Sequence, residues 1–261
     1  MTSFKQSVRD GDVNLGTFLN LGSPLVAEVC ALSGFDWLLV DLEHGAGGEE
    51  ALVGQLLAGA AHDVPVLVRV ESGERIRVGH ALDLGAVGVM YPRLDTVEEV
   101  ALAISHLWYP PQGDRGVATY NRARRFGGDA KTTSDVNDEL LCIVQIESSK
   151  ALSNVVDIAA TPGVDVLFVG PSDLTASLGY PGQLDSSVYS EALDHVVAAA
   201  RRSHVAAGIL VGDVGDVDAH LDRGFSFVSV ASDSALLRRA ATAAASKVIR
   251  GDSVHFRSLT T

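Results

Sequence analysis

Short, continuously apolar segments recur along the whole chain, each six or seven residues long. Hydrophobicity that is continuous rather than alternating is typical of parallel strands whose two faces are both covered by other elements. The pattern therefore predicts eight buried strands, at residues 15–20, 37–42, 64–70, 86–91, 140–146, 165–170, 206–211 and 225–230.

Segments with helix start signals lie between these strands. Ser23 followed by Pro24 gives an N-cap with proline at the first helical position. Thr96 and Glu99 have the spacing of a capping box. Further helices are predicted at 49–61, 74–84, 149–160, 186–203, 214–223 and 234–249. This alternation of strand and helix predicts an α/β protein, a single (β/α)8 TIM barrel domain over residues 1–261.

An open, doubly wound sheet is the alternative architecture for the same alternation. Such a sheet often carries a glycine-rich GxGxxG turn after its first strand, where it binds a dinucleotide. Here the first predicted strand is followed by Leu21-Gly22-Ser23-Pro24, which lacks that fingerprint. The closed barrel is therefore favoured.

Composition narrows the class of protein. The formal net charge is −13 and the pI about 4.9, so the surface repels nucleic acids and anionic membranes. The N-terminal residues do not resemble a signal peptide, and no run of 18 apolar residues predicts a membrane span. Cys30 and Cys142 lie in apolar segments and are expected to be core residues in a reducing compartment. We expect a soluble, cytoplasmic protein.

One connection, at residues 109–138, is long and locally basic. It carries arginines at 115, 122, 124 and 125, and Arg93 lies just ahead of the preceding helix. Long loops on the strand-exit side of a barrel usually have a function. We therefore expect this one to cover the active site or to contact a neighbouring subunit.

Polar side chains cluster where four of the predicted strands end. Active sites of such barrels lie at the carboxyl ends of the strands. Charged groups in otherwise apolar strands must pair with one another, with a ligand or with a metal, because burying them alone is costly. These residues are Asp41, Glu43, His44, Arg69, Gln145, Glu147 and Asp173.

Glu147 and Asp173 follow neighbouring strands, and their carboxylates would repel each other in a dry site without a cation between them. Oxygen ligands that leave positions for water and substrate suit Mg²⁺, Mn²⁺ or Co²⁺. The alternative is that one carboxylate caps a helix and the other pairs with an arginine.

Arg69 and His44 are the candidate catalytic side chains. Alternation within the strand puts Arg69 on the same face as Leu67, so the Arg69 side chain is predicted to point into the barrel. There it would bind a carboxylate and neutralise the charge of an enolate. The alternative is a structural ion pair with Asp41 or Glu43. His44, between the same acids, is placed for general-base work, although such a histidine is often merely hydrogen-bonded.

Lysine positions argue against a covalent imine mechanism. The chain has four lysines, and none lies within a predicted strand or at the end of the sixth. A Schiff-base lysine needs a desolvated position of that kind. Metal-assisted enolisation is therefore favoured.

At these residues the sequence resembles the metal-dependent (class II) pyruvate aldolases, the family of 4-hydroxy-2-oxoheptanedioate aldolase and 2-dehydro-3-deoxyglucarate aldolase. Macrophomate synthase and citrate lyase beta-like proteins are its relatives. The segments that carry the resemblance are DLEHG (41–45), PVLVRV (65–70), LDLGAVGVMYPRLDTVEE (82–99), YPPQGDRG (109–116), VQIES (144–148) and FVGPSDL (168–174).

The resemblance implies a pyruvate-binding TIM barrel that cleaves a 4-hydroxy-2-oxo acid to pyruvate and an aldehyde through a metal-stabilised enolate. It implies a divalent cation (Mg²⁺, Mn²⁺ or Co²⁺) on Glu147 and Asp173, and homotrimers or homohexamers. Pyruvate would be held by Arg69, Gln145 and the backbone around Ser172, from Gly170 to Asp173. His44 would accept the proton, with Asp83 raising its basicity, whereas the local sequence favours Asp41 or Glu43 as its partner.

Two departures from the family pattern concern the aldehyde half of the substrate. The first is at Tyr91 and Arg93, which stand where the family usually has a VPMV-like segment and are expected to change the wall of the pocket. The second is the segment 119–128, which has an unusually high density of charged residues. Oxaloacetate decarboxylation and acyl-CoA cleavage are the alternative activities, and a barrel that binds a keto acid without catalysis is the non-enzymatic alternative.

Overall fold

The computed structural model describes residues 3–247, in which eight parallel strands close into a barrel in chain order. Strand β1 pairs with β8 as well as with β2, so the open-sheet alternative is excluded and the predicted TIM barrel is confirmed. The strands are β1 (Asn14–Leu19), β2 (Trp37–Asp41), β3 (Val66–Arg69), β4 (Gly88–Tyr91), β5 (Leu141–Ile146), β6 (Val166–Val169), β7 (Ala206–Val211) and β8 (Phe227–Ser232).

Helices surround the strands on the outside of the barrel, except for α1 (Phe4–Asp10), which lies at the strand-entry end and packs Phe4 and Val8 against the interior layer of the barrel. The others are α2 (Pro24–Ala31), α3 (Glu49–Ala61), α4 (Arg75–Asp83), α5 (Val97–Leu107), α6 (Thr133–Glu139), α7 (Ser149–Ser153), α8 (Val155–Ala159), α9 (Pro171–Ser177), α10 (Ser187–Ser203), α11 (Val217–Arg223) and α12 (Asp233–Ser246). The predicted helix 149–160 is two helices, and 214–223 begins with a 3-10 turn at Val214–Asp216. Residues 248 and 249 of the predicted 234–249 helix lie outside the described residues.

Both predicted helix starts are confirmed by their hydrogen bonds. The Ser23 hydroxyl accepts the N–H of Val26 at the start of α2. At the start of α5, the Thr96 hydroxyl accepts the N–H of Glu99, and the Glu99 carboxylate accepts the N–H of Thr96. Each bond satisfies a backbone donor that the first helical turn leaves without a partner.

Hydrophobic side chains form two layers, one inside the barrel and one between the strands and the helices. Inside, Trp37 and Phe227 stack with their ring centroids 4.3 Å apart. Gly16 makes room for this pair, because a Cβ there would come within 2.1 Å of the Trp37 ring. Other interior residues are Phe18, Leu39, Leu67, Met90, Leu141, Ile143, Val166 and Phe168. The interior is therefore packed, and a ligand site is left at the ends of the strands.

The long basic connection lies at the strand-entry end and does not cover the strand exits. Arg115 binds the Asp83 carboxylate (Nη2–Oδ1, 2.6 Å), and Arg122 donates to the carbonyl of Leu84 (2.7 Å). Asp83 and Leu84 end α4, which runs from the exit of β3 back to the start of β4. The expectation that this connection covers the active site of its own chain is therefore wrong; contact with a neighbouring subunit stays a prediction.

Both cysteines are buried and free, as predicted. Burial raises the pKa of the Cys30 thiol to about 11, so the thiol stays protonated. Among the described residues, no helix is long and apolar enough to cross a membrane.

Candidate active site at the strand-exit end of the barrel

Arg69 is the last residue of β3 and points into the barrel, as the alternation predicted. Leu67, two residues before it, belongs to the interior layer, whereas Val68 and Val70 pack outward against the helices. Arg69 is in register with Asp41 at the end of β2. The register thus brings a guanidinium and a carboxylate together at the mouth of the barrel.

The Arg69 guanidinium pairs with two acids. Its Nε and Nη2 donate to the two carboxylate oxygens of Asp41 at 2.9 and 2.7 Å. Its Nη1 lies 3.2 Å from a carboxylate oxygen of Glu43, and its Cζ lies 5.2 Å from the centroid of the Phe18 ring. The structural ion pair of Arg69 with Asp41 and Glu43, which the sequence offered as an alternative, is therefore present. It holds the guanidinium in one orientation, in which part of the Nη edge is turned away from Asp41.

Asp41 also shapes the turn that carries His44. Its Oδ1 accepts the backbone N–H of Glu43 (3.1 Å) and of His44 (3.2 Å). The His44 side chain is 66% exposed, and its Nε2 lies 3.9 Å from the Glu43 carboxylate, which is longer than a hydrogen bond. Glu43 is thus the acid nearest the imidazole, while Asp41 contacts His44 through the backbone.

Asp83 does not meet His44 within one chain. It is the last residue of α4, at the strand-entry end of the barrel, and its carboxylate binds Arg115. His44 follows β2 at the strand-exit end. An Asp83 that acts on His44 must therefore come from a second copy of the chain.

Glu147 follows β5 and is buried, with 5% of its surface exposed. One of its carboxylate oxygens accepts the backbone N–H of Arg93, and the other accepts the side-chain N–H of Gln145, both at 2.9 Å. The pKa of Glu147 is raised to about 7, chiefly by burial and in smaller part by the charges of Asp173 and Glu43, while the Arg93 hydrogen bond and the charge of Arg69 oppose the rise. The positive charge of Arg69 therefore offsets only part of the cost of burying this carboxylate.

The junction of β6 and α9 brings a second carboxylate to the same end. Gly170 follows β6 as the N-cap of α9, Pro171 begins α9, and Ser172 and Asp173 lie in the first helical turn. A Cβ on Gly170 would come within 2.9 Å of the Glu147 carboxylate and 3.4 Å of the Gln145 amide nitrogen. A larger residue at position 170 would push the Glu147 carboxylate from its present place, so the glycine lets the backbone approach these two side chains closely.

These residues fit a divalent cation. The Gln145 side-chain oxygen is buried and has no hydrogen-bond partner among the described residues, so the side chain that contacts Glu147 keeps an unsatisfied acceptor. Residues 3–247 contain no cluster of three or more His, Cys, Asp or Glu side chains with metal-ligand geometry. Mg²⁺ is commonly bound by two carboxylates, with water or substrate as its remaining ligands.

Tyr91 and Arg93 contribute differently from what the sequence suggested. Tyr91 is fully buried and points outward, where its hydroxyl donates to the carbonyl of Ala103 (3.0 Å), so the expectation that it lines the pocket is wrong. Sequence reasoning missed the backbone of Arg93, which has a φ of 53° and holds Glu147. No residue pattern predicts this conformation, because non-glycine residues rarely adopt it.

The positions of the lysines agree with the argument against an imine. Lys5 is buried, but it lies in α1 at the strand-entry end, where it pairs with Asp165 at 3.1 Å. Lys131 pairs with Glu139, while Lys150 and Lys247 are exposed. None of the four lies in the mouth of the barrel beside Glu147.

Comparisons with known proteins agree with this site. The profile of the HpcH/HpaI aldolase/citrate lyase family matches residues 14–240. The chain is 40% identical over 250 residues to the hydroxypyruvate/pyruvate aldolase of Paraburkholderia phytofirmans, covering 94% of this chain and 96% of the relative. It is 37% identical over 237 residues to the 5-keto-4-deoxy-D-glucarate aldolase of Klebsiella pneumoniae, covering 91% and 93%.

Solved structures give the same result. The crystal structure of an HpcH/HpaI aldolase/citrate lyase family protein from Burkholderia cenocepacia superposes with a TM-score of 0.90 at 38% identity, covering 95% of this chain and 99% of that one. The resemblance to pyruvate aldolases is confirmed at the level of the family. This chain belongs to the HpcH/HpaI aldolase/citrate lyase family and is an aldolase, a carbon–carbon lyase.

Proposed function

We propose that this enzyme uses a divalent cation to cleave a 4-hydroxy-2-oxo acid reversibly into pyruvate and an aldehyde. The observation that carries the proposal is the buried Glu147 carboxylate, whose pKa is raised to about 7 beside the Asp173 carboxylate and the unsatisfied Gln145 oxygen. The names of the two relatives, a hydroxypyruvate/pyruvate aldolase and a 5-keto-4-deoxy-D-glucarate aldolase, support the same chemistry.

Glu147 and Asp173 would hold the cation, which is Mg²⁺, Mn²⁺ or Co²⁺ by the nature of these ligands. When bound, it supplies positive charge that polarises the 2-oxo group and stabilises the enolate formed from it. Gln145 orients Glu147 through the hydrogen bond between their side chains. The residues that would hold the cation lie in one barrel domain, which we expect to span residues 1–261.

The pyruvate half of the substrate would lie between β3 and β6. Arg69, fixed by Asp41, presents its remaining Nη donors to the negative charge of the 2-oxo acid. The first turn of α9, after Gly170, offers the backbone N–H groups of Ser172 and Asp173, which have no acceptor within the helix. These donors suit a carboxylate.

In the cleavage direction His44 would accept the proton of the 4-hydroxyl group. The C3–C4 bond then breaks, C4 leaves as the aldehyde carbonyl, and the electron pair of the bond forms the pyruvate enolate. Protonation of C3 releases pyruvate. Asp41 positions His44 through the backbone, and Glu43 or an Asp83 from a second copy would raise the basicity of the imidazole.

We propose that the enzyme is a homotrimer or homohexamer in the cytoplasm. Helix α2 and its C-cap expose Leu25, Val29 and Leu32, which follow the i, i+4, i+7 spacing of one helix face. Such an apolar strip suits burial against another copy of the chain. Free, buried cysteines suit a reducing compartment.

The test is pyruvate release from a panel of 4-hydroxy-2-oxo acids, with Mg²⁺, Mn²⁺ or Co²⁺ and after removal of metal by a chelator. We expect cleavage that the chelator abolishes and added metal restores. Release of CO₂ from oxaloacetate without any aldol cleavage would favour a decarboxylase, and cleavage of acyl-CoA esters would favour a CoA-dependent lyase. Pyruvate release that persists in the chelator would contradict the proposal.

A further inference from the structure

A cavity of about 640 Å³ lies at the strand-entry end of the barrel, and we refer to it as the entry cavity. Its walls are α1, the end of α4 with the turn that follows it, the basic connection and α6. Its volume is in the range of small-molecule sites. The proposed catalytic residues lie at the other end of the barrel, so the aldolase chemistry leaves this cavity unused.

Positive charge is concentrated around the entry cavity. Six of the 20 lysines and arginines of the chain line it, but only two of the 33 aspartates and glutamates do. Six cations and two anions give the lining a formal charge of +4, in a chain of net charge −13. This local reversal of charge favours an anionic ligand. The six cations are Lys5, Arg115, Arg122, Arg124, Arg125 and Lys131.

Arg122 is held in the wall of the entry cavity by the backbone and not by an acid. Its Nη1 donates to the carbonyl of Leu84 (2.7 Å), and a Cβ on Gly85 would collide with that nitrogen. Burial lowers the pKa of Arg122, with no acid of the described residues to raise it. The guanidinium is thus partly desolvated without a counter-charge, which an anion in the cavity would supply.

Two buried side chains of the lining carry donors without acceptors. The Tyr109 hydroxyl is buried and has no hydrogen-bond partner among the described residues. The Nη2 of Arg115 binds Asp83, but its buried Nε has no partner within residues 3–247. The two groups are neighbours, since the Arg115 Cζ lies 4.3 Å from the centroid of the Tyr109 ring. Buried donors are normally satisfied, so both favour a ligand with acceptor oxygens.

The remaining lining of the entry cavity is largely apolar. Phe4 of α1, Leu82 of α4, Val87 before β4 and Val136 of α6 contribute to it. A ligand that fills the cavity therefore needs an apolar body beside its charged group, and inorganic phosphate lacks one.

We propose that the entry cavity binds a small organic anion, with its carboxylate or phosphate group at Arg122 and its apolar body against Leu82 and Val136. A guanidinium binds either oxyanion through paired N–H donors. The site is separate from Glu147 and Asp173 in its own chain, so it does not depend on the activity proposed above.

The test is calorimetric titration of the full chain, in buffer with Mg²⁺, by benzoate, phenyl phosphate and benzyl alcohol. These probes share an aromatic body and carry a carboxylate, a phosphate or no charge. We expect an anion to bind and the alcohol not to, and the tighter anion identifies the oxyanion class. Arg122→Met should raise the Kd for that anion about tenfold or more, because a charged donor is lost. Tyr109→Phe removes a buried hydroxyl without a partner, so it should melt no lower than the wild type and still bind more weakly.

Arg238→Met is the matched control, because Arg238 is an exposed arginine of α12, outside the entry cavity. It should bind the anion as the wild type does, which excludes a general effect of net charge. Wild-type protein that binds neither anion, as it would if a second copy filled the cavity, would overturn the proposal. Equal binding of benzyl alcohol would also overturn it, as would wild-type affinity in both Arg122→Met and Tyr109→Phe. Binding that is lost in Glu147→Gln and kept in Arg122→Met would place the anion at the other end of the barrel.

Discussion

Glu147 is the residue on which the chemistry of the site depends. Its carboxylate is buried beside other acids, and the residues that touch it donate hydrogen bonds without adding a full positive charge. The raised pKa records that this environment disfavours the charged form. A bound cation would make the ionised carboxylate the more stable form, because the positive charge attracts it.

Metal binding should therefore depend on pH. With a Glu147 pKa of about 7, the carboxylate is protonated below that pH and a cation must displace the proton. We expect the apparent Kd for Mg²⁺ to rise by up to about tenfold per pH unit below pH 7, and to level off above it. Calorimetric titrations between pH 6 and 8.5 measure this, and a Kd that stays constant over the range would contradict the raised pKa.

Arg69 should stabilise the transition state more than it stabilises bound substrate. In Arg69→Ala we expect kcat to fall by the equivalent of about 2–4 kcal/mol, by analogy with the loss of an oxyanion-hole donor. The same change leaves buried Asp41 without its partner, so the folded state loses stability too. Activity is therefore measured well below the melting temperature of the variant. Near-normal turnover in Arg69→Ala would refute this role.

At the scale of elements, the junction of β6 and α9 brings backbone and carboxylate together. In Gly170→Ala the new Cβ would stand 2.9 Å from the Glu147 carboxylate, which must then move. Because that carboxylate is a side-chain end, the fold should tolerate the change, while the Kd for metal and the KM for pyruvate increase. Thermal unfolding and metal titration of the same sample separate the two effects.

Gly212→Ala is the matched control for this substitution. Gly212 follows β7 much as Gly170 follows β6, and a Cβ there meets no atom within 4 Å. It should bind metal as the wild type does. Equal metal affinity in Gly170→Ala and Gly212→Ala would show that the close approach at Gly170 does not position Glu147.

The elements that the sequence predicted are the ones with long apolar patterns. All eight strands lie within two residues of their predicted ends, since burial on both faces makes each segment uniformly apolar. The same uniformity hides which residue of a strand faces inward, so the outward direction of Tyr91 was missed. Helices α1, α6 and α9 were missed because seven residues give little periodicity.

Some contacts of the candidate site could be predicted from the sequence and others could not, again for physical reasons. The inward direction of Arg69 followed from alternation with Leu67, and the pairing with Asp41 and Glu43 was one of the weighed alternatives. The contact of the Arg93 backbone with Glu147 depends on a left-handed φ that no sequence pattern signals. Nor does a sequence tell whether Asp83 acts in its own chain.

At the scale of the whole molecule, the proposed assembly would involve two features of the chain. A second copy would cover the apolar face of α2, and it would supply the Asp83 that its own chain keeps at the opposite end from His44. The basic connection around Arg115, which binds Asp83, would then also lie near a subunit boundary. Assembly and catalysis are coupled on this account.

We therefore expect the wild-type protein to have the mass of a trimer or hexamer in light scattering after gel filtration. Val29→Asp places a charge in the middle of the exposed face of α2, so it should shift the protein to smaller species and reduce turnover with them. Position 29 is exposed in the single chain, so the fold itself should be retained, although loss of assembly would lower its melting temperature. A monomeric, fully active wild type would contradict the coupling.

On the proposed mechanism, a cation on Glu147 and Asp173 stabilises the enolate of pyruvate. Exchange of the pyruvate methyl protons with deuterium in D₂O, followed by proton NMR, measures enolate formation without any aldehyde. We predict exchange with Mg²⁺, none after chelation, and a loss of exchange in Glu147→Gln that extra Mg²⁺ does not restore. Exchange at the wild-type rate in the chelator, or in Glu147→Gln, would contradict the account.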